Sequence, residues 1–152
     1  YDITTIGCVV RKVQPKFSSK IEFGKGIPSI SYNLRNGGSV LINRQDPRQS
    51  LATIKEMGLY IEKYNRSTVI FPEGTRSKNG QPKAFAVNGL KILCRNAPSS
   101  YVLPVTMTRW GSFPFGIGNK IELIIHDPIS VRDNTFEYVF EKTEKEIVQA
   151  IV

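Results

Sequence analysis

Thr68-Val-Ile-Phe-Pro-Glu-Gly-Thr-Arg-Ser77 is the stretch on which the reading of this chain turns. It opens with β-branched and aromatic residues and runs into a proline, the pattern of a short buried strand ending at Phe71 and Pro72. A polar, glycine-containing turn follows. Ser39-Val-Leu-Ile-Asn43 repeats the strand signature, with Gly37-Gly38 before it and Arg44 after it. Between the two strands, Asp46 is a good helix cap, Pro47 suits the first helical position, and Gln49 completes a capping-box spacing. Leu51, Ile54, Met57 or Gly58, and Ile61 carry an apolar stripe from there to about Tyr64. A strand, a capped helix and a second strand make the repeating unit of an α/β domain.

The flanking sequence extends the pattern. Ile3, Ile6, Val9 or Val10, and Val13 recur at helical spacing, and Pro15 closes that helix; Phe17 to Phe23 forms a short strand. Downstream, Asn88–Asn96 is helical through Leu90, Leu93 and Cys94. Tyr101–Thr106 and Lys120–His126 are strands, separated by a loop from Trp110 to Gly118. Asn134 with Glu137 opens a last helix whose stripe is Phe136, Val139, Phe140, Ile147 and Ile151. The expected fold is α/β: a single domain over residues 1–152, with a largely parallel or mixed sheet flanked by helices. A hydrophobic fraction of 40% excludes a disordered chain, and no apolar run approaches the ~18 residues of a membrane span.

Lys plus Arg exceed Asp plus Glu by 21 − 13 = 8. A surplus of that size calls for an anionic partner: nucleic acid, an anionic membrane surface, a phosphorylated substrate or an acidic carrier protein. The basic residues are dispersed, which argues against a nucleic-acid footprint. Cys8 and Cys94 lie far apart and near no histidine cluster, the pattern of two buried thiols; neither a disulfide framework nor a metal site is expected.

The chemistry concentrates where the second strand runs out. Strand ends are where open α/β sheets place ligands. Gly74 lets a backbone approach a ligand, Thr75 adds a hydroxyl, Arg76 a planar fork of donors for a phosphate, and Glu73 an acceptor for hydroxyls. Phe71-Pro-Glu-Gly-Thr-Arg-Ser77 resembles, over all seven positions, the third signature block of the glycerolipid acyltransferases. Gly38-Ser-Val-Leu-Ile-Asn-Arg44 is similar to that family's second block, and Val102-Leu-Pro-Val105 to its fourth. Lys20-Ile-Glu-Phe23 followed by Gly26-Ile-Pro28 resembles the stretch between blocks one and two, so the likeness covers roughly Tyr1 to Val131.

The first block is where the sequence departs from the family. Members carry a histidine, four residues, then an aspartate; the histidine is the general base and the aspartate orients it. Asp2 matches that aspartate by its distance from Lys20, which puts the histidine four residues before Tyr1, outside this chain. The chain is therefore expected to begin just after the histidine and, as given, to fold without catalysing. His126 follows the fourth block, and the resemblance gives it no catalytic role; a structural one is expected.

The resemblance implies acyl transfer from a thioester, acyl-CoA or acyl carrier protein, to the free hydroxyl of lysophosphatidate, without cofactor or metal. Arg44 and Arg76, with Lys20 as a weaker candidate, would hold the acceptor phosphate. Glu73, expected with Asp2 among the catalytic residues, would contact the glycerol backbone or brace an arginine, and Phe71, Pro72, Gly74 and Thr75 complete the expected acceptor-binding set. The Glu-Gly-Thr-Arg form of the third block is closer to the lysophosphatidate branch than to the glycerol-3-phosphate branch. The expected site is the cytoplasmic face of a membrane, with lysophosphatidate, the acyl donor and anionic lipid as partners and no nucleic acid. Trp110, Phe113, Phe115 and Ile117 line an acyl groove or, more simply, pack a hairpin. The rival readings are a different glycerolipid acceptor and a non-catalytic basic module that binds anionic lipid or nucleic acid.

Overall fold

The computed structural model describes residues 16–20, 40–42, 46–74, 83–110 and 120–151. The expected first helix, Cys8 and the loop from residue 111 to 119 lie outside them. Strand β1 spans Lys16–Lys20, β2 Val40–Ile42 and β3 Thr68–Val69. They form a parallel sheet in the order β2-β1-β3. Ser18 pairs with Val40 and Lys20 with Ile42, while on the other side of β1 Lys16 pairs with Thr68 and Phe17 with Val69. The strand expected over Thr68–Phe71 is thus shorter than its apolar run, because the chain enters a turn at Phe71.

Helix α1, Pro47–Tyr64, crosses from β2 to β3. Its start is the one the sequence predicts: Asp46 is extended, and its carboxylate accepts from the amides of Arg48 and Gln49, both at 3.1 Å. It stops where Asn65 turns left-handed, at φ 48°, a conformation asparagine tolerates. Met57, Gly58 and Ile61 are buried, and α1 packs on α2, Val87–Asn96.

The expected strand Tyr101–Thr106 is two strands. β4 is Tyr101–Val102 and β5 is Val105–Trp110, with buried Pro104 between them. A proline cannot donate to a ladder, and here the chain changes partner across it. β4 pairs antiparallel with β7, Ile129–Ser130, a strand too short to be read from its two residues. β5 forms a six-rung antiparallel hairpin with β6, Lys120–Ile125, from Val105↔Ile125 to Trp110↔Lys120. Helix α3, Phe136–Gln149, starts one residue later than Asn134 would start it. Thr135 is the cap and accepts from the Tyr138 amide, whereas the Asn134 amide group donates back to the Ser130 carbonyl.

Leu90, Cys94, Ile129 and Val139 form the buried core where α2, α3 and the β4–β7 pair meet, with Ile70, Val102, Val131, Phe136 and Phe140 packed against it. The fold is the expected α/β domain with mixed strand directions: a parallel triplet and two antiparallel pairs. No helix among the described residues is long and apolar enough to cross a membrane.

Candidate active site

Parallel strands send their carboxyl ends to one edge, and the candidate residues follow those ends. Lys20 is the last residue of β1 and lies opposite Ile42, the last of β2. The chain leaves β2 two residues before Arg44 and leaves β3 at Val69, ahead of Phe71-Pro72-Glu73-Gly74. The parallel register therefore brings together the starting points of three segments that are far apart in sequence. Asp2, Arg44, Thr75 and Arg76 themselves lie outside the described residues.

The start of the third block is a closed turn. The Gly74 amide donates to the Phe71 carbonyl at 3.0 Å, with Pro72 in the second position, where its ring-fixed φ suits a turn. Gly74 has φ +67°, and among the described residues nothing lies within 4 Å of where a Cβ would sit. The position needs glycine for its backbone conformation. Phe71 is exposed at this edge.

Glu73 has a partner that the residue pattern did not suggest. Its Oε2 accepts from the Lys83 backbone amide at 3.1 Å. Next to it, the Pro72 carbonyl accepts from the Ala86 amide at 2.8 Å, just ahead of α2. Two bonds thus tie the turn to the entry of α2. No side-chain signal could have announced this, because every residue but proline carries the amide that Glu73 uses.

His126 sits elsewhere, at the far end of β6. Its Nε2 is 2.9 Å from Thr106 Oγ1 and its Nδ1 3.1 Å from Glu146 Oε2. The ring joins the β5–β6 hairpin to α3, as a structural histidine would. Cys94 is buried in the core as a free thiol; burial pushes its pKa up, and a backbone hydrogen bond opposes that.

A family model described as acyltransferase matches residues 1–108, a span that takes in the second, third and fourth blocks. The chain belongs to the acyltransferase family. It is 32% identical over 109 residues to the chloroplastic 1-acyl-sn-glycerol-3-phosphate acyltransferase of Arabidopsis thaliana, covering 68% of this chain and 30% of the relative. It is 29% identical over 110 residues to the 1-acyl-sn-glycerol-3-phosphate acyltransferase of Borreliella burgdorferi, covering 69% and 43%. This acyltransferase chain therefore spans less than half the length of either relative. Its fold matches the crystal structure of the 1-acyl-sn-glycerophosphate acyltransferase PlsC from Thermotoga maritima. The TM-score is 0.70 at 24% identity, over 91% of this chain and 56% of that one.

Proposed function

We propose that this acyltransferase domain moves a fatty acyl group from an acyl thioester to the free hydroxyl of lysophosphatidate. The observation that carries the proposal is the family match over residues 1–108, together with relatives named for that acceptor. The parallel sheet is in keeping with it, because open α/β sheets take ligands beyond the carboxyl ends of their strands, and Lys20 closes β1 at that end.

A base removes the proton from the acceptor hydroxyl, the oxygen attacks the thioester carbonyl, and the thiol leaves. The substrate hydroxyl is the nucleophile, so no covalent enzyme intermediate is required. Asp2 orients the histidine base of the family's first block, fixing its tautomer and stabilising the imidazolium. Arg44 and Arg76 grip the phosphate through bidentate hydrogen bonds, and Lys20 adds charge. The donor is acyl-CoA or acyl carrier protein; both are anionic, in keeping with the +8 charge of the chain. Work at the cytoplasmic face of a membrane, against anionic lipid, suits the same charge, and such binding weakens with salt.

The test is kinetic, in a protein that carries the first-block histidine together with this domain. Arg44→Ala and Arg76→Ala each raise KM for lysophosphatidate by the equivalent of ~1.5–3 kcal/mol, and lysine at either site recovers only part of the loss. Unchanged kinetics in both alanine variants, with folding intact, would remove the phosphate grip. Vesicle sedimentation checks the membrane reading: anionic vesicles retain the protein better than neutral ones at low salt.

A further inference from the structure

His126 is the only histidine in the sequence, and its ring stands in the middle of a row of hydrogen bonds. Glu146 Oε2 lies 3.1 Å from Nδ1, Thr106 Oγ1 lies 2.9 Å from Nε2, and Thr106 Oγ1 lies 3.4 Å from the Ile147 carbonyl. The row begins at a carboxylate and ends at a carbonyl, and both can only accept. Its three links therefore draw all their protons from the two groups between. Thr106 supplies one. A neutral imidazole supplies one more and leaves a link unmade, whereas an imidazolium supplies two and completes the row.

An unmade link is costly at this place. The histidine side chain is 11% exposed and Thr106 is buried, so water does little for a polar atom left without a partner. Ile147 stands in the last turn of α3, where carbonyls lack an amide of their own helix. The Ile151 amide, which a longer helix would give it, goes to Val148 instead. Glu146 is half-exposed and its charge is screened, so the donor count weighs more than the ion pair. The other charges on these elements stand back from the ring. Asp127 and Lys145 are exposed, Lys142 lies over the Tyr138 ring, and Glu122 is opposite Thr108 on the hairpin. Hydroxyl, imidazole and carboxylate follow the order of a hydrolase triad, but the Thr106 hydroxyl is buried and faces a backbone carbonyl, which leaves it closed to substrate.

We propose that the folded domain holds His126 as an imidazolium, which makes the joint between the β5–β6 hairpin and the end of α3 a proton-dependent latch. The buried residues of α3, Val139 and Thr143, lie in its earlier turns. Glu146 and Ile147 come after them, and the latch fastens this last part of the helix to the hairpin. Near neutral pH the folded chain keeps a proton that the unfolded chain releases. The latch is therefore complete at low pH and loosens as pH rises through the histidine range.

With one histidine in the chain, protein labelled with 15N in the imidazole gives one pair of ring signals. At pH 7, where a free histidine is mostly neutral, both ring nitrogens of His126 are expected to carry protons. The folding constant of wild type relative to His126→Gln, from urea unfolding, is expected to fall about threefold or more between pH 6 and pH 8.5. Thr106→Val removes the Nε2 acceptor and returns the ring to its neutral form at pH 7. A neutral ring in the wild-type protein at pH 7 overturns the proposal, and so does a wild-type advantage that stays flat with pH. A ring that remains doubly protonated in Thr106→Val refutes the donor count. Should either variant fail to fold, the wild-type ring signals decide alone.

Discussion

His126 Nδ1 lies 3.1 Å from Glu146 Oε2, and the opposite ring nitrogen lies 2.9 Å from Thr106 Oγ1, so one imidazole joins the β5–β6 hairpin to the last helix. A carboxylate can only accept, so Nδ1 donates to Glu146, while the Thr106 hydroxyl lies between Nε2 and the Ile147 carbonyl, to which it donates at 3.4 Å. The two contacts are unequal. Thr106 is 1% exposed, whereas the Glu146 side chain is 38% exposed.

That inequality ranks the variants. Glu146→Gln loses a solvent-screened pair and costs under ~1 kcal/mol. His126→Ala takes a hydrogen-bond partner from a buried hydroxyl and opens a gap beside it, costing about 1–3 kcal/mol. Urea unfolding followed by circular dichroism measures both, and equal losses would refute the ranking. Turnover per folded molecule is expected to stay unchanged in both variants, because the family resemblance gives neither residue a part in the chemistry.

Two glycines in helices give opposite outcomes on substitution by alanine. A methyl at Gly58 would sit 2.8 Å from Asn96 Cβ, inside van der Waals contact at the α1–α2 crossing. The ~1 kcal/mol gained in helix propensity is outweighed by ~1–3 kcal/mol of overpacking, so Gly58→Ala destabilises. At Gly89 the nearest atom is Ile54 Cδ1 at 3.7 Å, an ordinary contact, and Gly89→Ala stabilises by ~0.5–1 kcal/mol. Denaturation midpoints that shift in the same direction for both variants would contradict this.

Gly74 tests the backbone of the third block. At φ +67° an alanine carries a left-handed penalty of about 1–2 kcal/mol, although none of the described residues lies within 4 Å to clash with its methyl. Gly74→Ala is expected to lower kcat/KM for lysophosphatidate, and Gly74→Asn to do so less, since asparagine tolerates that region. A Gly74→Asn variant worse than Gly74→Ala would point to side-chain bulk rather than backbone conformation.

Cys94 gives a pH dependence of known sign. Burial raises its pKa in the native state, so above the ordinary thiol range the folded chain holds a proton that the unfolded chain has released. The stabilisation is complete below the unfolded thiol's pKa and is lost as pH rises through the native one. Stability measured from pH 7 upward therefore falls more steeply in wild type than in Cys94→Ala. At pH 8, alkylation mapped by mass spectrometry spares Cys94 until the protein unfolds. Rapid labelling of the native chain would show that the thiol is not buried.

Local sequence was enough wherever a local cause acts. The cap at Asp46, with Pro47 behind it, started α1 where it was expected, and Leu90, Leu93 and Cys94 marked the buried face of α2. The strand-and-turn pattern at Phe71 located the block that the family match takes in. Local signals failed where two neighbours offered the same chemistry: Asn134 and Thr135 can both cap a helix, and the Ser130 carbonyl drew Asn134 away from that role. They failed again at Pro104, whose missing donor is visible in the sequence but whose consequence, a change of strand partner, is not. Only the tertiary structure decided that β1 lies between β2 and β3, that His126 joins Thr106 to Glu146, and that Glu73 reaches the Lys83 amide. Each of these depends on which distant segment arrives alongside. Caps and strand ends are decided by a few neighbouring side chains; strand order and backbone partners depend on how the whole chain packs, and backbone amides look alike at almost every position.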